Sequence, residues 1–297
     1  MEFGINLGFA LKRWPEPEVW TALVRQQLGL TLVQYTLDML DPWWPEPQRG
    51  RMAERVRRAA AAEGVAIHSA QLGIAWYTYN GLLDPNPDGR AVAREWWKRA
   101  VATTAELGAR SVGGPLGALS VAAAADPVER EQRYMEMLDD VVAASEEARA
   151  AGLNAILVEP TPVPREIPST ITETARLLAD LEGRTAVPIH LVLDVGHALY
   201  RPLYGNQVAL SDWLAPLHDA IGVLHLQNHD YQSDAHLGWP NEHADYDVAA
   251  FAKEVREAGL ANRPVILELF FPFEVADAVV LSQTISSVEH CRAALSG

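Results

Sequence analysis

Short apolar runs alternate with longer segments of helical periodicity along the whole chain. This pattern predicts eight strands, at Phe3–Leu7, Thr31–Leu37, Val65–Leu72, Ala109–Gly113, Ala155–Glu159, Ile189–Asp194, Gly222–Gln227 and Val265–Leu269. It predicts helices between the strands, including Arg49–Glu63, Arg90–Leu107, Glu129–Ala151, Thr170–Leu181 and Val248–Ala258. Because the strands are mostly continuous apolar runs, we expect a parallel sheet that is covered on both faces.

Residues with special backbone or capping roles mark the ends of several predicted helices. A glycine follows a helical segment and precedes a strand at four places, namely Gly64, Gly108, Gly152 and Gly259. Glycine at such a position is typical of a helix C-terminus, since it adopts the left-handed conformation without a steric penalty. Thr170 followed by Glu173 predicts a capping box at the start of the helix after the fifth strand.

Eight strand–helix units in this chain give about 37 residues per unit, which is typical of a (β/α)₈ TIM barrel. We therefore predict an α/β fold in which residues 1–297 form a single TIM-barrel domain. An open, doubly wound sheet is the alternative, but the segment Gly4–Ala10 at the first strand lacks the G-x-G-x-x-G spacing of dinucleotide-binding folds. The Gly113-Gly114-Pro115 segment after the fourth strand lacks the Gly-Lys-Ser/Thr ending of a P-loop.

Four consecutive strands carry a metal-binding type of side chain at or near their carboxyl ends. These residues are Glu159, Asp194, His225 and Glu268, separated by 35, 31 and 43 residues. Each separation is close to one strand–helix unit, so the four side chains are expected to surround one point at the mouth of the barrel, where TIM-barrel enzymes have their active sites. Taken singly, each carboxylate could be a solvated loop residue, and His225 could be a hydrogen-bonded core histidine.

Three carboxylates that converge on one point repel each other strongly unless a cation or protons compensate their charge. A divalent ion removes this repulsion. Three carboxylates and one imidazole make a mostly oxygen site, which suits Mn²⁺ first and also Mg²⁺ or Co²⁺. The sequence therefore predicts a divalent-metal site with these four ligands.

Further polar and aromatic residues near the predicted strand ends are candidates for substrate contact. They are His68, Arg165, Glu166, His197, Gln227, His229, Trp14 and Trp239. Each also has a structural alternative: a core histidine for His68, a surface ion pair for Arg165 with Glu166, and a helix cap for His197. If the substrate carries a phosphate, Lys12, Arg13 and Arg165 are the loop cations expected to contact it.

Composition excludes several functional classes. The chain has 39 acidic and 24 basic residues, so its net charge of −15 would repel a nucleic acid. No apolar run reaches the roughly 18 residues of a transmembrane helix, and the N-terminus lacks signal-peptide features. A single cysteine, Cys291, excludes an internal disulfide and a cysteine-based zinc site. We expect a cytoplasmic enzyme or small-molecule binder, and a homodimer or homotetramer.

Four segments together resemble the xylose-isomerase-like sugar isomerase/epimerase superfamily. They contain Glu159, Asp194-Val195-Gly196-His197, Val223-Leu224-His225-Leu226 and Val265-Ile266-Leu267-Glu268. Two further segments, Pro164–Thr170 and His225–Asp230, resemble the branch that acts on four-carbon ketose phosphates, the erythrulose-phosphate isomerases and epimerases.

This resemblance implies that Glu159, Asp194, His225 and Glu268 hold the metal. It also implies that Glu159 and Glu268 are the catalytic acid/base pair and that His197 contacts a substrate oxygen. The chain departs from the epimerase pattern at two positions. Tyr231 stands where those epimerases usually carry an arginine, and Arg165 stands where they carry a glutamate.

The predicted function is that of a divalent-metal-dependent isomerase for a small ketose or ketose phosphate, acting through a metal-stabilised enediolate. Proton return to the opposite face gives epimerisation, and return to the neighbouring carbon gives aldose–ketose isomerisation. The same parts serve both reactions. The alternatives are a cyclitol or sugar-acid dehydratase on the same metal site and a catalytically silent sugar-binding subunit. An apurinic endonuclease is disfavoured because it needs more metal ligands and a less acidic surface.

Overall fold

Eight parallel strands close into a barrel in the order β1 to β8. The computed structural model describes residues 1–296. The strands are β1 Phe3–Asn6, β2 Leu32–Thr36, β3 Ala66–Gln71, β4 Ser111–Gly114, β5 Ala155–Val158, β6 Ile189–Asp194, β7 Ile221–Leu226 and β8 Val265–Leu267. The prediction of a (β/α)₈ barrel is confirmed.

Helices follow the strands along the chain. The long ones are α2 Gln48–Glu63, α4 Pro87–Glu106, α6 Pro127–Ala150, α7 Ile171–Leu181, α11 Val248–Glu257 and α12 Asp277–Leu295. The shorter ones are α1 Pro17–Ala22, α3 Ile74–Tyr77, α5 Val121–Ala125, α8 Val195–Ala198, α9 Arg201–Tyr204 and α10 Leu210–Leu217. None of the helices in residues 1–296 has the length and apolar composition needed to cross a membrane.

The chain forms two compact units. The first contains Met1–Tyr35, Arg55–Ile67 and Leu193–Gly297, and the second contains Thr36–Glu54 and His68–Val192. Strands β2, β3 and β6 contain residues of both units. That residues 1–297 are a single domain stays a prediction.

Glycine 113 shows how closely two barrel strands approach in the second unit. Gly113 of β4 is paired with Leu157 of β5, and a Cβ atom added to Gly113 would lie 1.7 Å from the Leu157 carbonyl oxygen. The flanking residues Val112 and Ile156 are fully buried. Only a residue without a side chain fits at this point of the strand pair.

The predicted helix ends are observed, with one difference at the capping box. The four glycines adopt positive φ angles, with 66° at Gly64, 80° at Gly108, 80° at Gly152 and 76° at Gly259. At α7, the Thr170 side chain accepts a hydrogen bond from the Glu173 backbone N–H, as predicted. The Glu173 carboxylate accepts its bond from the Ser169 backbone N–H rather than from Thr170. In this capping box, the carboxylate therefore binds the backbone of the residue before the one that caps the helix.

Six of the eight strands, β1, β2, β3, β5, β7 and β8, end one or two residues earlier than the hydrophobic pattern predicts. Glu159 and Glu268 each come one residue after the last strand residue, and Gln227 does so after β7. These side chains are polar and buried. The backbone N–H groups of Glu159 and Glu268 still donate to Gly114 and Leu226 of the neighbouring strands, which places these carboxylates directly at the strand ends.

Candidate metal centre

The structure brings together all four predicted metal ligands. Glu159, Asp194, His225 and Glu268 each offer a ligand atom within 4.8 Å of the others, and all four residues are buried. Their common position follows from the parallel arrangement, since each comes from the carboxyl end of β5, β6, β7 or β8.

A chain of hydrogen bonds from β1 and β2 orients two of these ligands. The Asn6 side-chain oxygen accepts a bond from the Gly8 backbone N–H, and the Asn6 Nδ2 group donates to Glu268 Oε1 at 2.9 Å and to Gln34 Oε1 at 2.7 Å. Because the carboxylate can only accept, the orientation of the Asn6 amide is determined, and with it that of Gln34. His225 Nε2, 2.8 Å from Gln34 Oε1, must then carry the proton.

The other nitrogen of His225 faces two carboxylates. With the proton on Nε2, a neutral His225 presents its Nδ1 lone pair 2.8 Å from Glu268 Oε2 and 4.0 Å from Asp194 Oδ2. Asp194 Oδ2 is buried and has no hydrogen-bond partner. Such lone pairs at these distances repel each other unless a positive charge lies between them. The residues therefore fit a divalent cation, with Gln34 fixing the tautomer of its imidazole ligand.

Asp194 has a second structural role at the junction of β6 and α8. Its Oδ1 atom accepts hydrogen bonds from the Gly196 and His197 backbone N–H groups, at 2.7 and 3.0 Å, and from Gln227 Nε2 at 2.8 Å. The residue thus caps α8 with one oxygen and presents the other to the centre. The cap also sets the position of His197, which follows it by three residues.

Glu159 is held within the second unit by a neighbouring strand. The Gln71 side-chain amide at the end of β3 donates a short hydrogen bond to Glu159 Oε2. Pro160 follows Glu159 and disfavours helical geometry there, so the carboxylate projects from an extended segment. Gln71 plays the same part for Glu159 that Asn6 plays for Glu268.

A second group of metal-binding residues lies within the first unit. His197, Asp234 and His236 offer ligand atoms within 4.8 Å of one another, and Asp234 Oδ1 lies 3.1 Å from the Nε2 atom of each histidine. Burial by itself would lower the pKa of His236, but the Asp234 carboxylate outweighs it and raises the pKa to about 9. Burial acts to raise the pKa of Asp234, yet the two histidines hold it well below its usual range.

Gln227 connects the two groups. Its side-chain NH₂ donates to Asp194 Oδ1, and its side-chain oxygen accepts a bond from the His236 backbone N–H at 2.8 Å. Both amide ends are thus used for structural bonds. This arrangement makes Gln227 a residue that positions Asp194 and the loop after β7.

Three residues predicted to contact substrate, Arg165, Glu166 and His68, contact other protein groups in the structure. Arg165 donates to the Leu119 carbonyl oxygen at 2.8 Å, and Glu166 is buried and accepts a hydrogen bond from Thr161. His68 is half-buried, with its Nδ1 atom 3.1 Å from Ser69 Oγ. It precedes Gln71 by three residues in β3, so the two side chains leave opposite faces of the strand.

The two predicted tryptophans also pack against protein. Trp239 is 1% exposed, stacks on His290 at a centroid distance of 5.4 Å, and donates its indole N–H to the Tyr246 carbonyl. Trp14 is half-buried, with its ring 6.1 Å from that of Phe9. These contacts are those of packing residues, and a substrate role for either tryptophan stays a prediction.

Five polar residues of the two groups and their supports were not among the sequence-based candidates. Three are strand amides, Asn6, Gln34 and Gln71, and the other two are the loop residues Asp234 and His236. Each amide interrupts an apolar strand, a signal that points to a side chain facing the barrel interior. Asp234 lies in a loop with several acidic and histidine residues, and its spacing alone does not distinguish it.

The fold is a closed parallel TIM barrel, and its strand ends carry a buried group of three carboxylates and an imidazole that are of metal-ligating type. The chain belongs to the xylose isomerase-like TIM barrel family, whose model matches residues 24–280.

Individual relatives cover nearly the whole chain. D-erythrulose 1-phosphate 3-epimerase of Brucella abortus (strain 2308) is 24% identical over 293 residues, which are 97% of this chain and 94% of the relative. A Rhodospirillum rubrum crystal structure, provisionally described as a xylose isomerase, has a TM-score of 0.96 and 36% identity, covering 99% of both chains. D-psicose 3-epimerase from Clostridium cellulolyticum H10 shares the fold, with a TM-score of 0.75, 13% identity and 99% coverage of both chains.

These relatives confirm two predictions. The resemblance to sugar isomerases and epimerases of this superfamily is correct, and so is the assignment of the chain to the isomerase class of enzymes.

Proposed function

We propose that this chain is a divalent-metal-dependent epimerase or isomerase of a small ketose or ketose phosphate. The observation that carries the proposal is the buried group of Glu159, Asp194, His225 and Glu268. The Brucella abortus relative acts on D-erythrulose 1-phosphate, which supports a four-carbon ketose phosphate as the first substrate to test.

The proposed cation is held by these four side chains, with Mn²⁺ as the first choice and Mg²⁺ or Co²⁺ as alternatives. When bound, such an ion polarises a substrate carbonyl and makes the neighbouring C–H more acidic. The lone pair of His225 and the unpaired oxygen of Asp194 are the features of this chain that fit it.

Glu159 and Glu268 are the proposed acid/base pair. One carboxylate removes the proton from the carbon beside the carbonyl, and the other delivers a proton to the opposite face, a contribution of roughly 10²–10⁴-fold for each transfer. Gln71 and Asn6 each bind one oxygen of these carboxylates and so limit their rotation. His197, held by Asp234, is proposed to bind a substrate oxygen.

Solvent isotope exchange tests this function. The protein is incubated in D₂O with Mn²⁺ and with D-erythrulose 1-phosphate, D-erythrulose or D-psicose, and deuterium uptake is followed by NMR. Uptake at C3 indicates epimerisation. Uptake at C1 of D-erythrulose or D-psicose, in which the C1 hydroxyl is free, indicates aldose–ketose isomerisation. We expect Glu159→Gln and Glu268→Gln to reduce exchange at least ~100-fold. Glu242→Gln, at an exposed position, is the control and should retain full exchange.

Exchange that survives both active-site substitutions would contradict the proposal. Loss of water from the substrate would instead establish a dehydratase, and sugar binding without exchange would establish a binding subunit. A cytoplasmic location and a homo-oligomeric state stay predictions.

A further inference from the structure

Arg201 is the only lysine or arginine between Asp194 and Ala252. The same stretch, residues 194–252, contains eight aspartates and glutamates. In such surroundings an arginine would ordinarily pair with one of the acids. Among residues 1–296, however, no carboxylate lies within 4.0 Å of the Arg201 guanidinium, although at least ten other arginines form such pairs.

The Arg201 guanidinium lies instead on an aromatic ring. Its central carbon is 4.1 Å from the centroid of Tyr231, and the Arg201 backbone N–H donates to the Tyr231 carbonyl oxygen at 3.0 Å. Stacking on a ring leaves the edge of the guanidinium, with its N–H groups, available for a planar or tetrahedral anion. Tyr231 thus holds the cation in place without neutralising it.

His229 lies on the same tyrosine ring and has unused hydrogen-bonding groups. Its ring centroid is 4.5 Å from that of Tyr231 and 4.5 Å from that of Tyr246. The residue is 1% exposed, and neither ring nitrogen has a hydrogen-bond partner. A buried imidazole with both nitrogens unsatisfied is costly, and a polar ligand that accepts its N–H removes that cost.

The backbone at Tyr231 supports a functional role for this cluster. Tyr231 has a φ angle of 63°, in the left-handed region that a bulky L-residue rarely adopts. Such strained conformations are concentrated at ligand-binding and catalytic positions. The strained backbone places one ring between Arg201 and His229.

We propose that Arg201 and His229, flanking the Tyr231 ring, form the subsite for the phosphate group of a phosphorylated ketose substrate. This inference rests on the proposed function and names its substrate class. Arg201 provides the charge and His229 a neutral N–H donor, since burial lowers the pKa of His229 to about 4. Both residues follow β6 or β7, the strands that carry Asp194 and His225.

The cations expected from the sequence to contact a phosphate are placed differently. Arg13 donates to the Pro272 carbonyl oxygen at 2.7 Å and pairs with Asp277 at 3.3 Å, so its charge is already compensated. Lys12 lies over the Phe273 ring at 5.0 Å. Arg165 donates to the Leu119 carbonyl. Near the carboxyl ends of β6 and β7, Arg201 is the cation whose charge is not already paired with a carboxylate.

Two measurements test the subsite. The first is calorimetric titration of EDTA-treated protein with inorganic phosphate, which needs neither metal nor turnover. We expect millimolar binding by the wild type, at least tenfold weaker binding by Arg201→Gln and His229→Phe, and intermediate binding by Arg201→Lys. Arg51→Gln, which removes an exposed arginine from α2, changes the net charge equally and should bind within twofold of wild type. Circular dichroism checks the fold of each variant.

The second measurement compares D-erythrulose 1-phosphate with D-erythrulose. We expect Arg201→Gln to raise KM for the phosphorylated sugar at least tenfold, with kcat changed less than threefold, and to change KM for D-erythrulose by a much smaller factor. The subsite would be overturned if the wild type did not bind phosphate, or if Arg201→Gln bound phosphate as tightly as the wild type. Equal KM values of the wild type for the two sugars would also overturn it. If no sugar is turned over, the proposed function fails, while the titration still decides whether Arg201 binds phosphate.

Discussion

His225 donates its Nε2–H to the side-chain oxygen of Gln34, 2.8 Å away and 191 residues earlier in the chain. This bond determines which nitrogen of the imidazole faces Asp194 and Glu268. A neutral residue of β2 therefore controls a ligand on β7, and several consequences can be measured.

Replacing Gln34 with Met removes the acceptor while keeping the approximate volume. His225 then loses its preferred tautomer, so we expect Mn²⁺ affinity to fall about 10–100-fold. Isothermal titration with Mn²⁺ measures the change. Gln207→Met, at an exposed position, should bind the ion like the wild type. Equal affinity in Gln34→Met and wild type would mean that the Gln34 contact does not orient the ligand.

The Asp194→Asn substitution separates the two roles of Asp194. Asparagine keeps the oxygen that caps α8 but removes the negative charge, so we expect the metal-free stability to be retained or increased. Metal at 100 times its dissociation constant should stabilise the wild type by about 2.7 kcal/mol and the variant by far less. Thermal unfolding with EDTA or Mn²⁺ measures both effects. Asp219→Asn, on the surface, should behave as wild type, and a full metal response in Asp194→Asn would rule out this ligand.

His229 predicts a specific dependence of stability on pH. Its pKa is lowered to about 4 in the folded protein, against about 6.5 in an unfolded chain. Between pH 4 and pH 6.5 the unfolded state binds more protons than the folded state, so the free energy of unfolding rises with pH. The stabilisation by neutral, buried His229 is therefore complete above pH 6.5 and is lost as the pH falls towards 4. The total change is about 3 kcal/mol. Urea unfolding of the wild type and His229→Phe across this range measures the difference.

The control for that experiment is His243→Phe, which removes an exposed imidazole and should keep the wild-type pH dependence. If the stability difference between the wild type and His229→Phe were independent of pH, His229 would not be buried in its neutral form.

Gly113→Ala tests the close approach of β4 and β5. The added methyl group would collide with the Leu157 carbonyl, so we expect a loss of about 3 kcal/mol or more in the free energy of unfolding. Gly152→Ala is the matched control. Gly152 has a φ of 80°, but no atom lies within 4 Å of the added carbon, so the free energy of unfolding should fall by only about 1 kcal/mol. Similar losses in both variants would argue against the strand register.

Much of the fold and part of the centre could be predicted from the sequence. The eight strands were predictable because a sheet buried on both faces needs continuous apolar runs. The grouping of Glu159, Asp194, His225 and Glu268 was predictable because each lies at or near the end of such a run, and their role as metal ligands stays a prediction. The supporting amides were not predictable, since the pairing of Gln34 with His225 depends on barrel closure and register. Trp239 was expected near substrate from its place in a loop, yet it packs on His290 because that loop folds back onto α12.

The three amides Asn6, Gln34 and Gln71 carry no charge, whereas two of the groups that they orient, Glu268 and Glu159, are carboxylates. The residues that orient the side chains of the centre therefore lie on β1 to β3, and the residues that set its electrostatic potential lie at the ends of β5, β6 and β8. Selection or design can adjust the orientation of these side chains through β1 to β3 without changing the total charge that an incoming ligand encounters.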